Sequence, residues 1–514
     1  MKKYNIFKVL AIVILLSMVL SYFIPSSSIG YAGLEKGTIV PVTFANMFAN
    51  SITTINALVT TIIYVLVIGI FYFVIKKTGR YETLVDNTAS VFDTNRGLFI
   101  VITVFGLGLV TLFTGEILPL LIFVPFLIDV LSKLGFNKFS NILATIGSIL
   151  LGYSGATYTY YLNQYLSLTV KDNVAAKITI GLVGLVSIVA FILVFNKPKK
   201  LNGEIRKSTM KKMIPLYVTF ALLFVFIILG FVNWNAYFGF KGFEELLENL
   251  ENAEIAKVSI FDAIIGTSVA AFGQWQVYNF ATLVVFASIV ISIIYRFKIN
   301  DFFEAFAEGL KKAFPYAVIV TLANIVLVNV YSSGIFYTLS GALNSKNIGL
   351  FSGAVTSMLA SIMYPDSGYA AQFTLTSLMG TEAVKYEAIF AITYQAIYSM
   401  FLLVSPTSIL LLFGLRKTDT GYIEWIKYIG KYFLVLLIAE LLVIAIFLNG
   451  FNQSAIIFIV AIAVLLAFII VATKGKNTKK VVKEEKKEEP KKVVKKAPAK
   501  KAPAKKTTKK VNKK

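Results

Sequence analysis

Four interruptions in otherwise apolar stretches carry the residues whose chemistry stands out. The first is Thr114-Gly115-Glu116, with Pro119 and Pro125 beyond it, inside the hydrophobic run Leu98–Leu131. The second is Gly152-Tyr153-Ser154-Gly155-Ala156-Thr157, inside Ile142–Val170. The third is Tyr364-Pro365-Asp366-Ser367-Gly368, inside Ile348–Met379, and the fourth is Ser405-Pro406-Thr407-Ser408, inside Phe390–Leu415. Gly and Pro break or kink a helix, and small hydroxyl residues can satisfy the backbone groups a break frees. An ionisable group in such a stretch is costly and reads as functional by default. Glu116 and Asp366 are therefore candidates to bind a cation, carry a proton or pair with an ammonium on a substrate. For Asp366 the structural alternative is an N-cap, with Ser367 and Gly368 opening a helix behind it.

Half-helix C-termini and hydroxyl oxygens suit sodium, whereas half-helix N-termini suit a carboxylate. Ser154, Thr157, Ser405 and Thr407 are accordingly the candidate sodium ligands. Gly155, which permits close approach or a left-handed turn, joins them in the substrate- and ion-binding set with Ser367 and Ser408. Ordinary helix–helix hydrogen bonding is the competing role for each hydroxyl. Glu440 lies mid-span, where a bond to a neighbour would suffice. Asp129 stands four residues before Lys133 and reads as half of an i,i+4 pair. The hydrophobic segments are read as holding no Arg or Lys, which favours a zwitterionic or cationic substrate over a dianion.

The elements that must position these residues are membrane spans. Of the 514 residues, 57% are hydrophobic and only 15% charged, against about 25% charged in an average soluble domain. There is no Cys and no His, which argues against thiol chemistry, imidazole catalysis and zinc hydrolysis. No phosphate-binding GxxxxGK[ST] loop occurs, so the energy for uphill work is expected from a gradient. A membrane-embedded protease or lipid transferase would need catalytic groups the chain lacks, and no enzyme activity is expected. The net charge of +23 is uneven: residues 474–514 hold nineteen Lys and four Glu, leaving +8 for the rest. That stretch reads as a disordered cytoplasmic tail, with attraction to anionic lipids as its sharper reading and no nucleic-acid module in it.

About 20 apolar residues cross a bilayer. Residues 1–24 read as a first transmembrane helix and 25–54 as an external loop. Residues 55–195 form a first repeat, with a re-entrant hairpin at 98–131 and a broken helix at 142–170. Residues 196–313 supply a cytoplasmic loop and linking helices. Residues 314–448 form a second repeat, with a hairpin at 348–379 and a broken helix at 390–415. A last helix occupies 454–473. Basic clusters place both termini and the Lys197–Lys212 region in the cytoplasm, and the acidic Glu244–Glu254 loop outside. The fold expected is thus an all-α polytopic membrane protein of two inverted repeats, with about ten transmembrane helices, two re-entrant hairpins and discontinuous helices at mid-membrane. Glu116 to Ser154 is thirty-eight residues and Asp366 to Ser405 thirty-nine, which supports the repeat. Matching interruptions in two inverted halves point to a transporter's binding site.

Three stretches resemble the YfcC-like transporters, which are related to the anaerobic four-carbon dicarboxylate carriers of the ion transporter superfamily. Gly115-Glu116-Ile117-Leu118-Pro119-Leu120 is similar to their hairpin motif, and Leu151-Gly152-Tyr153-Ser154-Gly155-Ala156-Thr157 to their glycine–serine break. Ser405-Pro406-Thr407-Ser408-Ile409, running to Trp425-Ile426-Lys427-Tyr428, is similar to their closing motif. The resemblance covers roughly residues 1–450. It implies a homodimer whose protomers each move a body holding both hairpins and both broken helices past a scaffold, with elevator-like alternating access. It also implies basic amino acids or carboxylates as cargo. Asn324, where Arg is expected, and Pro365-Asp366-Ser367-Gly368 depart from the pattern and put the cargo in question.

The function expected is a secondary transporter, symporter or antiporter, in the cell membrane. It would move an amino acid or small organic ion, with Na+ or H+ as coupling ion and no other cofactor. A carboxylate carrier of the same fold is the alternative. A channel is the more distant one, since no continuous polar stripe runs along several spans.

Overall fold

In lipid a backbone must pair its own polar groups, and the apolar runs of this chain do so as helices. The computed structural model describes residues 5–448, apart from 31–32, 167–168, 199–209, 256–257, 260, 262, 264–265, 267–268, 345–349 and 380–386. The expected helix 454–473 and the Lys-rich tail 474–514 lie outside the described residues, as does most of the basic cluster after Lys197. Two two-stranded antiparallel ribbons, β1 (Ser27–Gly30) with β2 (Gly33–Lys36) and β3 (Glu254–Ile255) with β4 (Val258–Ser259), are the strands among the described residues. The chain is an all-α polytopic membrane protein, with seven helices among the described residues long and apolar enough to cross a bilayer.

The first region runs α1 (Asn5–Ser21), α2 (Phe44–Ala57), α3 (Val59–Lys77) and α4 (Tyr81–Phe92). The segment expected as an external loop is therefore ordered: it holds the β1–β2 ribbon and α2, which Thr43 caps. Next come α5 (Arg96–Thr114), a 3-10 turn at Pro119–Ile122 and α6 (Val124–Lys133). A single bent rod follows, made of α7 (Lys138–Ile142), a π turn at Leu143–Gly147 and α8 (Ser148–Ser154). After a break come α9 (Tyr160–Tyr165) and the span α10 (Val174–Phe195). The linking region contributes α11 (Ile214–Phe231), α12 (Trp234–Phe238), the acidic α13 (Gly242–Glu251) and α14 (Val277–Ile294).

The second region repeats the order of elements. It runs α15 (Ile299–Ser333), α16 (Ile335–Asn344), the pair α17 (Leu350–Met363) and α18 (Ser367–Met379), the interrupted α19 (Glu387–Phe401) and α20 (Ile409–Lys417), and α21 (Tyr422–Leu448). Two features differ from the expectation. The span expected at Phe314–Tyr331 is the second half of a 35-residue helix with Pro315 inside it. The helix α16 stands between that span and the hairpin, as α4 does in the first region, and no element was expected at either place.

α3 packs along α15 and α14, and α1 and α2 pack on α15. Asn329 on α15 organises this group, donating to Ser17 Oγ at 3.1 Å and accepting from Asn50 Nδ2 at 2.8 Å. Elsewhere α5, α8 and α10 pack together, and α19 joins α8, α17 and α21. The first group is called the frame below and the second the inner body.

Candidate functional site

The first hairpin turns because α5 can end only on glycine. Gly115 has φ +66°, and a Cβ there would stand 2.0 Å from the carbonyl oxygen of Tyr158. Glu116 follows at the tip, its amide donating to Thr114 Oγ1 at 3.2 Å. Side chains meet several of the carbonyls around the turn. Leu112 O accepts from the Thr157 amide at 2.9 Å and the Thr157 hydroxyl at 3.2 Å. Tyr64 donates to Pro119 O and Tyr72 to Ile122 O, both at 2.6 Å, and the Tyr72 oxygen accepts from the Phe126 amide at 3.0 Å. Where the arms meet again, Arg96 Nη1 donates to Leu134 O at 3.2 Å, so α5 and α6 are the two arms of one hairpin.

The second hairpin is finished in the same way. Ser361 O accepts from Ser405 Oγ, and Ile362 O from Thr407 Oγ1, both at 2.8 Å. Tyr398 donates to Tyr364 O at 2.9 Å. Asp366 Oδ1 accepts from the amides of Gly368 and Tyr369, both at 3.0 Å, and so caps α18. The threonine–carbonyl pairs stand at matching positions in the two halves. Leu112 precedes Glu116 by four positions, as Ile362 precedes Asp366; Thr157 follows Glu116 by forty-one, as Thr407 follows Asp366. In both halves that threonine holds that carbonyl.

The two acid-bearing tips share one cavity of about 630 Å³, which Glu116, Asp366 and Ser367 all line. Tyr153 at the end of α8 lines the same cavity, and the ring of Tyr161 lies against Gly368. Tyr158, Tyr160, Tyr369 and Trp275 add aromatic surface, and Asn233, Gln274 and Gln276 add amides. Among the described residues lining it there is no Lys or Arg. When ionised, two carboxyl groups without a basic neighbour would give the cavity a negative field, and aromatic faces attract organic cations.

The other candidates lie off this cavity. Ser154 Oγ donates to Leu151 O at 2.8 Å. Gly155 is a close-approach position, where a Cβ would stand 2.3 Å from Lys177 O and 2.5 Å from the amide nitrogen of Gly181 on α10. Thr157 bonds Leu112 and, through its hydroxyl, Tyr237. Ser405 and Thr407 bond each other at 2.9 Å as well as the hairpin, and Ser408 caps α20 at Leu411 N. The structure thus brings together Glu116, Asp366 and Ser367, while the remaining candidates bond backbone or pack against it.

Several participants escaped the sequence reading. Tyr64 and Tyr72 stand eight apart on one apolar helix, a polar pair that could have been noticed. Gln395 of α19, 2% exposed, donates to Tyr153 O at 2.9 Å and Ala156 O at 2.7 Å and so ties the second half to the first break. The statement that no Lys lies in a hydrophobic segment fails at Lys177, 4% exposed within α10, whose Nζ donates to Thr157 O at 3.3 Å. The expected Asp129–Lys133 pair is also replaced. Asp129 pairs with Lys417 at 2.7 Å and accepts from Tyr81 at 2.6 Å, while Lys133 reaches Asp86 at 2.8 Å, because α6 lies between α4 and α20. Glu440 is fully buried and both its carboxyl oxygens lack a hydrogen-bond partner among the described residues. Asn324 is buried too, its amide donating back to Val320 O at 2.9 Å, away from the cavity.

No protein-family model matches the sequence, and no curated protein is significantly similar to it. Among solved structures the chain is similar to the YdaH transporter of Alcanivorax borkumensis, reported to have an unusual topology. Identity is 12% and the TM-score 0.43, over 87% of this chain and 99% of that one.

Proposed function

We propose that the chain is a secondary active transporter that moves an amino acid or another small organic ion bearing an amino group. The observation that carries this reading is the cavity: two hairpin tips from corresponding places in the chain each present a carboxyl group there, with aromatic rings and amides and no basic side chain around them. A protonated amine fits between the carboxylates and over the rings, and the amides suit a carboxylate or hydroxyl at its other end. The alternative cargo, a dicarboxylate, would face two like charges, which disfavours it unless cations intervene. A sodium or proton gradient drives the movement in this reading. The protein works as a homodimer in the cell membrane with both termini cytoplasmic, one body sliding past the other in an elevator-like cycle.

The test is uptake into proteoliposomes combined with a thermal-shift screen of amino compounds and dicarboxylates on the purified protein, since a ligand that binds only the folded state raises its melting temperature. An amine-bearing compound should stabilise the wild type, and Glu116→Gln and Asp366→Asn should each lower its uptake at least tenfold while still inserting in the membrane. Unchanged uptake in both variants would sink the assignment, and stabilisation by dicarboxylates alone would transfer it to the carboxylate reading.

A further inference from the structure

The ion that a helix break can hold depends on how many of its oxygens are free to turn towards it, since sodium at such breaks is held by unwound carbonyls and helix ends. In this chain those oxygens are engaged by the chain's own donors. At the first break, Tyr153 O and Ala156 O both accept from Gln395, and the Thr157 hydroxyl lies between Leu112 O and Tyr237. Thr157 O accepts from the Lys177 ammonium. At the second break Trp425 Nε1 donates to Leu403 O at 2.7 Å and Tyr422 to Val404 O at 2.5 Å. The hydroxyls of Ser405 and Thr407 are turned to the hairpin. At the first break, then, Tyr153 O, Ala156 O and Thr157 O would have to share or give up a bond already made in order to meet a metal ion.

Lys177 decides the first break. An ammonium is a cation with three donors, and at a half-helix C-terminus it meets the field that would attract a metal ion. It also repels a second cation, since like charges oppose each other more strongly in a protein interior than in water. We propose that the Lys177 ammonium is a tethered cation seated at the first break, and that ligand binding in the neighbouring cavity requires no sodium. The second half of this statement rests on the cavity being the binding site; the first half does not.

Melting temperatures of the full-length protein, without any substrate, separate the two. The wild type should melt at the same temperature in sodium chloride and in choline chloride of equal strength. Lys177→Met should melt lower, and methylammonium or sodium, which can enter the vacated position, should restore part of the loss, while bulky choline should not. Saturable sodium stabilisation of the wild type would overturn the proposal, as would a Lys177→Met protein that melts like the wild type or that neither cation rescues. If Lys177→Met does not fold, the wild-type comparison still decides. A ligand found by the thermal-shift screen adds the last arm: its affinity should change less than twofold when choline replaces sodium, and a tenfold loss would refute sodium independence while leaving the cavity assignment standing.

Discussion

A carbonyl freed where a helix stops inside a membrane has no water to turn to, and leaving a buried polar group unpaired costs about 1–3 kcal/mol. Thr157 and Thr407 each spend a hydroxyl on such a carbonyl, Leu112 O and Ile362 O, in corresponding places. Thr157→Val and Thr407→Val keep the shape and remove the donor, so each should lower unfolding free energy by about 1–3 kcal/mol, read from denaturant unfolding in detergent micelles. Thr157→Val should be the milder, because the Thr157 amide also reaches Leu112 O. Equal stability of both variants and wild type would show that these bonds are not what closes the breaks. Glu116 is a different kind of residue: its carboxyl faces the cavity, so its loss is expected in uptake rather than in stability. Asp366 caps α18, the structural alternative that the sequence offered, and also lines the cavity.

The elements show why some of this was legible in the sequence and some was not. Gly, Pro and Asp punctuate a strand of apolar letters, so the breaks at Gly115, Gly155, Pro365 and Pro406, and the order of hairpin and broken helix in each half, could be read directly. What the punctuation does not encode is which distant side chain meets each broken end. Tyr64, Tyr72 and Tyr398 look like ordinary span residues, Trp425 stands in the closing motif, and the use of all four depends on which helices become neighbours. Lys177 was passed over because it lies at the very start of its span. Ser154, Ser405 and Thr407 show a further limit: hydroxyls that serve backbone and hydroxyls that serve a solute have the same letter. Gln395 is the clearest case: one amide bonds both Tyr153 O and Ala156 O, joining α19 to the end of α8. Gln395→Leu should leave both carbonyls short of a donor and loosen one half from the other. Faster hydrogen exchange in the peptides around Tyr153–Thr159 and a lower melting temperature are expected; unchanged exchange there would mean that packing alone holds the halves together.

At the scale of the molecule, the frame and the inner body meet at the first hairpin. The polar ties of the first hairpin to α3 and to the neighbouring α4 are Tyr64 to Pro119, Tyr72 to Ile122 and Phe126, Tyr81 to Asp129, and Lys133 to Asp86; ring contacts such as Phe126 on Phe220 of α11 and Tyr316 of α15 on Phe413 of α20 add to them. Within the inner body, contacts such as the Phe191–Tyr432 ring pair, with centroids 4.8 Å apart, are apolar and close-packed. A body that slides must break the first set and keep the second. Each hydrogen bond contributes only about 0.5–1.5 kcal/mol net, so the boundary can be exchanged for an equivalent one. The chain has no cysteine, so paired cysteines can be placed without background. Tyr72→Cys with Phe126→Cys, joined by a reducible bifunctional reagent, should tether the frame to the hairpin and abolish uptake, with activity returning on reduction. Phe191→Cys with Tyr432→Cys, joined in the same way, should leave most of the uptake intact, because both residues travel together. Loss of uptake from the second tether but not the first would place the moving boundary elsewhere, and transport unaffected by either would rule out sliding of these two groups as the step that moves the solute.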